Sequence, residues 1–240
     1  MSAWHRPLPL AVILLLLAAM ARAGELETAL DKMRRGDYAE AYCLLRPLAE
    51  AGNDRAQYAL GWMYHNGYGL RIDEARAIDW WQRAAARDNA DAFFALAQLH
   101  ELGMGTRRNP QRAAELYVRA LALGSEEARN LIIGLLQRGE EKMRQALVAA
   151  LSDHWALLGE VHRVRSQAAN VREGPSTRRK VLFRLHRDDP LLVVDRKGRW
   201  LRIVDMQRGR GGWVHDSLVE PPAEGPAEEQ PGEVADDHGD

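Results

Sequence analysis

The sequence predicts a multidomain α + β chain, an all-α helical-repeat solenoid followed by a small all-β barrel. Three observations carry this. The chain matches itself without a gap under a shift of 36 residues; helical apolar spacing gives way near Val161 to short runs of Val, Leu, Ile and Trp; and the charge changes sign along the chain. Residues 24–159 carry 17 Lys and Arg against 19 Asp and Glu, residues 160–220 carry 14 against 8, and residues 221–240 carry none against 7. These boundaries divide the chain into an N-terminal segment 1–23, helical repeats over 24–151, a linker over 152–160, a barrel over 161–220 and an acidic tail over 221–240.

Residues 1–23 combine Arg6, an apolar run from Leu10 to Met20 and small residues at cleavage spacing. That pattern predicts a secretory signal peptide cut after Ala23, with Ala21 the second choice, and the run is shorter than the ~20 residues that span a bilayer. The expected location is therefore a bacterial periplasm or the exterior, with no membrane span after cleavage. A single cysteine, Cys43, allows no internal disulfide, so packing must hold the fold. Cys43 itself is expected as a small buried helix residue. The tail, rich in Pro, Gly and acid with little to bury, is expected to be disordered.

Under the 36-residue shift, 52–87 lies over 88–123: Ala56 meets Ala92, Leu60 meets Leu96, Gly67 meets Gly103, Gly69 meets Gly105, and Trp81 meets Tyr117. Ala56, Ala59, Leu60 and Met63 fall on one helical face, and Ala77, Trp80, Trp81, Ala84 and Ala85 on another. A helix pair of this kind cannot bury its own face, so copies must stack. The G-x-G spacing at Gly67 and Gly69 is also that of a phosphate loop. Such a loop follows a strand and occurs once, whereas this one recurs between helices. The glycines are accordingly read as structural, ending one helix in the left-handed region and reversing the chain before the next begins near Asp73 or Pro110.

Ala56, Leu60, Gly61, Tyr64, Gly67, Gly69 and Leu70, followed by Ala77, Trp80, Trp81, Ala84 and Ala85, resemble the Sel-one-like repeat family, a relative of the tetratricopeptide repeat. The resemblance covers about 36–138 and implies a protein-binding solenoid. The second copy departs with Ala97 and His100; a third keeps Ala128 and Gly139 but has Glu141 in place of the second glycine. That decay suits a terminal cap, with a last helix over Glu140–Leu151.

Beyond Val161, V-L-F-R-L at 181, L-L-V-V at 191, W-L-R-I-V at 200 and G-W-V at 212 read as strands joined by glycine-bearing turns. Together with A-N-V-R-E-G-P-S-T they are similar to the bacterial SH3-like domain over about 161–219, which implies cell-wall or protein binding. Trp200 and Trp213 are read first as core and corner residues of the barrel. With Phe183 they are also its candidate binding residues.

No zinc-protease pair, nucleophile elbow or Walker loop occurs, so no catalytic residue, metal ligand or cofactor is expected. Nucleic acid is disfavoured by export and by the lack of aromatics among the arginines. The function expected is a non-catalytic exported adaptor that holds a protein partner through its repeats and peptidoglycan or a second protein through its barrel. The alternative is a peptidoglycan hydrolase or the activating subunit of a cell-wall enzyme. Trp62, whose counterparts are Gln98 and Gly134, is the candidate contact within the repeats.

Overall fold

The computed structural model describes residues 24–220, so the signal-peptide and acidic-tail expectations lie outside the described residues. The chain divides into two compact units between Leu157 and Leu158.

Over the described residues the first unit is four helix pairs. Helix α1 covers 24–35, and α2 (Tyr38–Glu50), α3 (Asp54–Asn66), α4 (Glu74–Ala85), α5 (Ala90–Leu102), α6 (Pro110–Ala122), α7 (Glu126–Arg138) and α8 (Glu141–Ala150) come after it. The starts of α3 to α7 are written in the sequence at the repeat spacing. Asn53, Asn89 and Ser125 lie 36 residues apart, and each side chain accepts the backbone N–H three residues on, at Ala56, Ala92 and Ala128 (2.9, 2.9 and 3.1 Å). Asp73 and Asn109 do the same for α4 and α6, with Pro110 in the first turn. Caps of this kind contribute roughly 1 kcal/mol each by satisfying N–H groups the helix leaves unpaired. One cap also joins neighbouring repeats, since Asn89 Nδ2 donates to Asp54 Oδ2 at 2.7 Å.

The stripes meet as the spacing requires. Ala56, Ala59, Leu60, Met63, Ala77, Trp81, Ala84 and Ala85 are buried. Trp80 is the exception: it is half-buried, and Arg83 lies over its ring at 4.7 Å. Trp81 reaches α3 because Gly61 has no side chain; a Cβ there would lie 2.4 Å from Trp81 Nε1, and that nitrogen donates to Tyr58 O at 3.1 Å. In the next repeat the equivalent residues are Ala97 and Tyr117, both buried, and the Tyr117 hydroxyl donates to Glu101 at 2.5 Å.

The paired glycines behave as structural elements. Gly67 and Gly103 cap their helices at φ 71° and 75°, and Gly69 and Gly105 are also left-handed at 70° and 63°. The second glycine seats the loop on the preceding repeat. A Cβ at Gly69 would meet Tyr38 Cβ at 2.7 Å, and one at Gly105 would meet Glu74 Cβ at 3.0 Å, Tyr38 and Glu74 being the first residues of α2 and α4. Both loops close alike, with Asp73 N–H donating to Tyr64 O and Asn109 N–H to His100 O. Replacing Tyr64 by His100 in the second copy leaves this backbone bond intact. In the third copy Gly139 is extended (φ −70°, ψ 166°), and the chain passes after two residues into α8.

Cys43 corrects its expectation: it is exposed, because the buried face of α2 runs through Ala41, Leu45, Leu48 and Ala49 instead.

The second unit is one antiparallel sheet of β1 (Glu160–Val164), β2 (Ala168–Arg172), β3 (Val181–His186), β4 (Pro190–Lys197), β5 (Trp200–Asp205), β6 (Arg210–His215) and β7 (Val219–Glu220), in the order β3-β2-β6-β5-β4-β1-β7. The expected barrel is curled but not closed. Leu185 from edge strand β3 and Val219 from edge strand β7 share one core cluster with Val164, Val171, Leu201, Ile203 and Val214, yet the two edges do not pair. The two-residue β7 pairs only with β1 and is too short to carry a second ladder. Asp205, 1% exposed, anchors the β5–β6 turn by accepting the N–H groups of Gln207 and Arg208.

Gly61→Ala should lower stability by about 1–3 kcal/mol in thermal melts, because the new methyl strikes a buried ring; Ala97→Gly should cost only about 1 kcal/mol, the helix propensity of glycine. Cys43 should react stoichiometrically with an aromatic disulfide reagent in native buffer, and reaction only in denaturant would contradict its placement on the solvent face.

Candidate functional site

A groove of about 400 Å3 opens between α3 and α5, the first helices of two successive repeats. Its walls are Tyr58, Trp62 and Asn66 on α3 and Phe94, Gln98 and Leu102 on α5, with Trp81 and Met104 among the other lining residues. Residues 58, 62 and 66 are spaced four apart and so share one helix face, and the 36-residue shift carries them onto 94, 98 and 102. The groove is thus a surface that each repeat builds from equivalent positions.

Trp62 is half-buried, its ring tilted against Tyr68 with centroids 4.9 Å apart. Leu102 and Met104 at the mouth are 64% and 38% exposed, too apolar to be left in water without cost. Polar groups hold the wall in place: Asn66 Nδ2 donates to Trp62 O at 2.9 Å, and His65 Nδ1 lies 2.9 Å from Glu74 Oε2. Burial pushes the Tyr58 phenol up to about 12, helped by the carboxylates of Asp91 and Glu127, so it stays neutral throughout the physiological range. Burial, with Glu127 beside it, also raises Asp91 above the usual carboxylate value. Apart from Trp62, sequence reasoning missed this wall. The signal was available in the spacing, since 58, 62 and 66 can be shifted by one repeat as readily as the core positions.

The sheet unit does not bring its three candidates together. Phe183 pairs with Val171 and packs at the rim of the core, with the Arg210 guanidinium 4.3 Å above its ring. Trp200 and Trp213 are half-buried on the opposite face, because Leu201 and Val214, their chain neighbours, point into the core. Neither tryptophan belongs to the core cluster, which corrects the first reading of both. In register, Trp213 lies between Arg172 and Arg202 on the flanking strands, and Trp200 lies opposite His215, the rings meeting edge-on at 5.4 Å. The outer face is therefore aromatic and cationic. Among the described residues no group of three or more His, Cys, Asp or Glu is placed to hold a metal ion, and no helix is long and apolar enough to cross a membrane.

Four helix pairs and a curled sheet define a class of multidomain protein in which helical repeats are followed by a small β domain. Residues 54–89 and 90–125 each match the Sel1 repeat, and residues 165–221 match the bacterial SH3 domain. Among solved structures, the chain is similar to a Sel1 repeat protein from Oxalobacter formigenes (34% identity over 46% of this chain and 86% of that one, TM-score 0.41). It is similar also to a protective antigen of uropathogenic Escherichia coli with an SLR fold (27%, 57% and 32%, TM-score 0.46) and to Helicobacter pylori cysteine rich protein B (24%, 39% and 70%, TM-score 0.37). No curated protein matches the chain. The chain belongs to the Sel1 repeat family and carries a bacterial SH3 domain after its repeats.

Trp81→Ala should cost about 3–5 kcal/mol in urea unfolding, as deletion of a fully packed indole does. Trp62→Ala should cost only about 1 kcal/mol, the worth of one ring pair. Equal losses at the two positions would make Trp62 a packing residue.

Proposed function

We propose that this protein is a non-catalytic exported adaptor whose repeat groove takes a protein segment bearing apolar side chains and whose SH3 domain holds peptidoglycan. The observation that carries the reading is the groove between α3 and α5, in which Trp62, Phe94, Leu102 and Met104 offer apolar surface while Gln98 and Asn66 supply amide donors and acceptors at its walls. A segment of a partner inserting one or two apolar side chains would exclude water there, and the amides would orient its backbone. The match to two binding-type families supports the same division of labour.

The outer face of the sheet supports the wall-binding half. Trp213 and Trp200 present flat apolar rings beside Arg172, Arg202 and Lys197, a combination suited to a polymer carrying both sugar rings and carboxylates. The full chain should sediment with purified sacculi at low salt and less so at moderate salt. The pair Trp200→Ala and Trp213→Ala should weaken that binding by about tenfold or more if the rings are the anchors. Sedimentation untouched by the pair would move wall binding elsewhere, and none at all would make the domain a protein-binding module. Release of soluble fragments from sacculi by the purified chain alone would favour the hydrolase alternative.

A further inference from the structure

A second cleft, of about 370 Å3, lies on the sheet unit, lined by His162, Arg165, Arg196, Arg199, Asp216 and Ser217 together with Leu201 and Val219. Three guanidinium groups converge there. Arg196 pairs with Leu201 in register and shares its face; Arg165 donates to Ser217 O; Arg199 Nε meets Asp216 Oδ1 at 3.3 Å. Asp216 is the one carboxylate among the described residues lining the cleft, so the lining keeps an excess of positive charge. The chain also leaves from this spot. Val219 lines the cleft, and the carbonyl of Glu220 lies 2.9 Å from Nδ1 of the buried His162.

Beyond Glu220, residues 221–240 carry seven acidic side chains and no lysine or arginine. At up to ~3.6 Å per residue, Glu224 lies within about 14 Å of Glu220 and the Glu228–Glu229 pair within about 30 Å. Tethering over so short a distance gives an effective concentration on the order of millimolar.

We infer that the Arg165–Arg196–Arg199 cleft is a binding site for an acidic peptide, and that its occupant is this chain's own segment 221–240. Guanidinium groups receive carboxylates in paired hydrogen bonds, which gives the contact geometry as well as charge. Because the cleft is open to solvent, each pair is weak and screened by salt, so the segment is a displaceable competitor. Other anionic ligands then reach the cleft only by outcompeting it. The inference goes beyond the adaptor reading and concerns a different face of the sheet from the wall-binding tryptophans.

The test uses two full-length chains, the natural one and one in which Glu224, Glu228, Glu229 and Glu233 are changed to Gln and Asp236, Asp237 and Asp240 to Asn. A synthetic peptide of residues 221–240 is added to each, and backbone amide shifts are monitored at low salt. In the neutralised chain the peptide should shift Arg199, Ser217 and Val219, and should bind about tenfold more tightly than to the natural chain, whose cleft is already filled. The difference should disappear at about 0.5 M salt, where the screening length falls to a few ångströms. Adding Arg196→Ala and Arg199→Ala to the neutralised chain should abolish the shifts. The inference is overturned if the peptide shifts nothing, if it shifts residues around Trp213 instead, if the arginine variant responds equally, or if both full-length chains bind alike. Sedimentation with sacculi is read separately, so either idea can fail alone.

Discussion

Close approach of backbone to backbone, at positions where a side chain is missing, is what the helical unit depends on. A single amphipathic helix pair leaves half of its apolar surface exposed, and only stacking on the next pair removes that surface from water. Stacking is possible because the loop inside one pair rests on the first residue of the second helix of the pair before it, at Gly69 on Tyr38 and at Gly105 on Glu74. A methyl at either glycine would push the pairs apart, and the left-handed backbone there suits no other residue as well. Once the pairs are seated, Ala56, Ala77 and Ala113 are left with no exposed surface, and large rings such as Trp81 and Tyr117 are buried among such small residues.

The groove is a consequence of the same stacking. Each first helix turns one face, through Leu60 and Leu96, into the buried core, Leu60 in one cluster with Ala41 and Leu45 of the preceding pair, and a second face, through Tyr58 and Trp62 or Phe94 and Gln98, toward the groove. On that second face Phe94 still packs on Tyr117 of its partner helix, the ring centroids 5.6 Å apart, whereas Trp62 rests on Tyr68 of its own loop. The Trp62 position is consequently free to differ between copies, as Trp62 and Gln98 do, without disturbing the fold.

The sheet unit obeys a different constraint. Its core is small, nine buried residues in one cluster, and it draws on both edge strands by curling rather than by closing. That arrangement sends Leu201 and Val214 inward and therefore Trp200 and Trp213 outward, onto a face shared with Arg172 and Arg202. The tryptophans are accordingly half-buried outside the core, while Arg210 covers the ring of Phe183.

Much of this was legible in the sequence by itself. The 36-residue period, the buried alanine and leucine stripes, the left-handed glycines and the strand-bearing C-terminal region all come from local chemistry, since periodicity, helix capping and turn conformation are properties of neighbouring residues. The groove was partly legible: Trp62 stood out by differing from Gln98, but nothing singled out Tyr58, Phe94 and Leu102. Only the tertiary structure decided that they line the groove, because which of two apolar helix faces is covered depends on where the next pair sits. The same holds for Cys43, for the tryptophans of the sheet and for the open edge at β7. Strand alternation says that neighbours face opposite ways, but it takes the curl of the sheet to say which way is in.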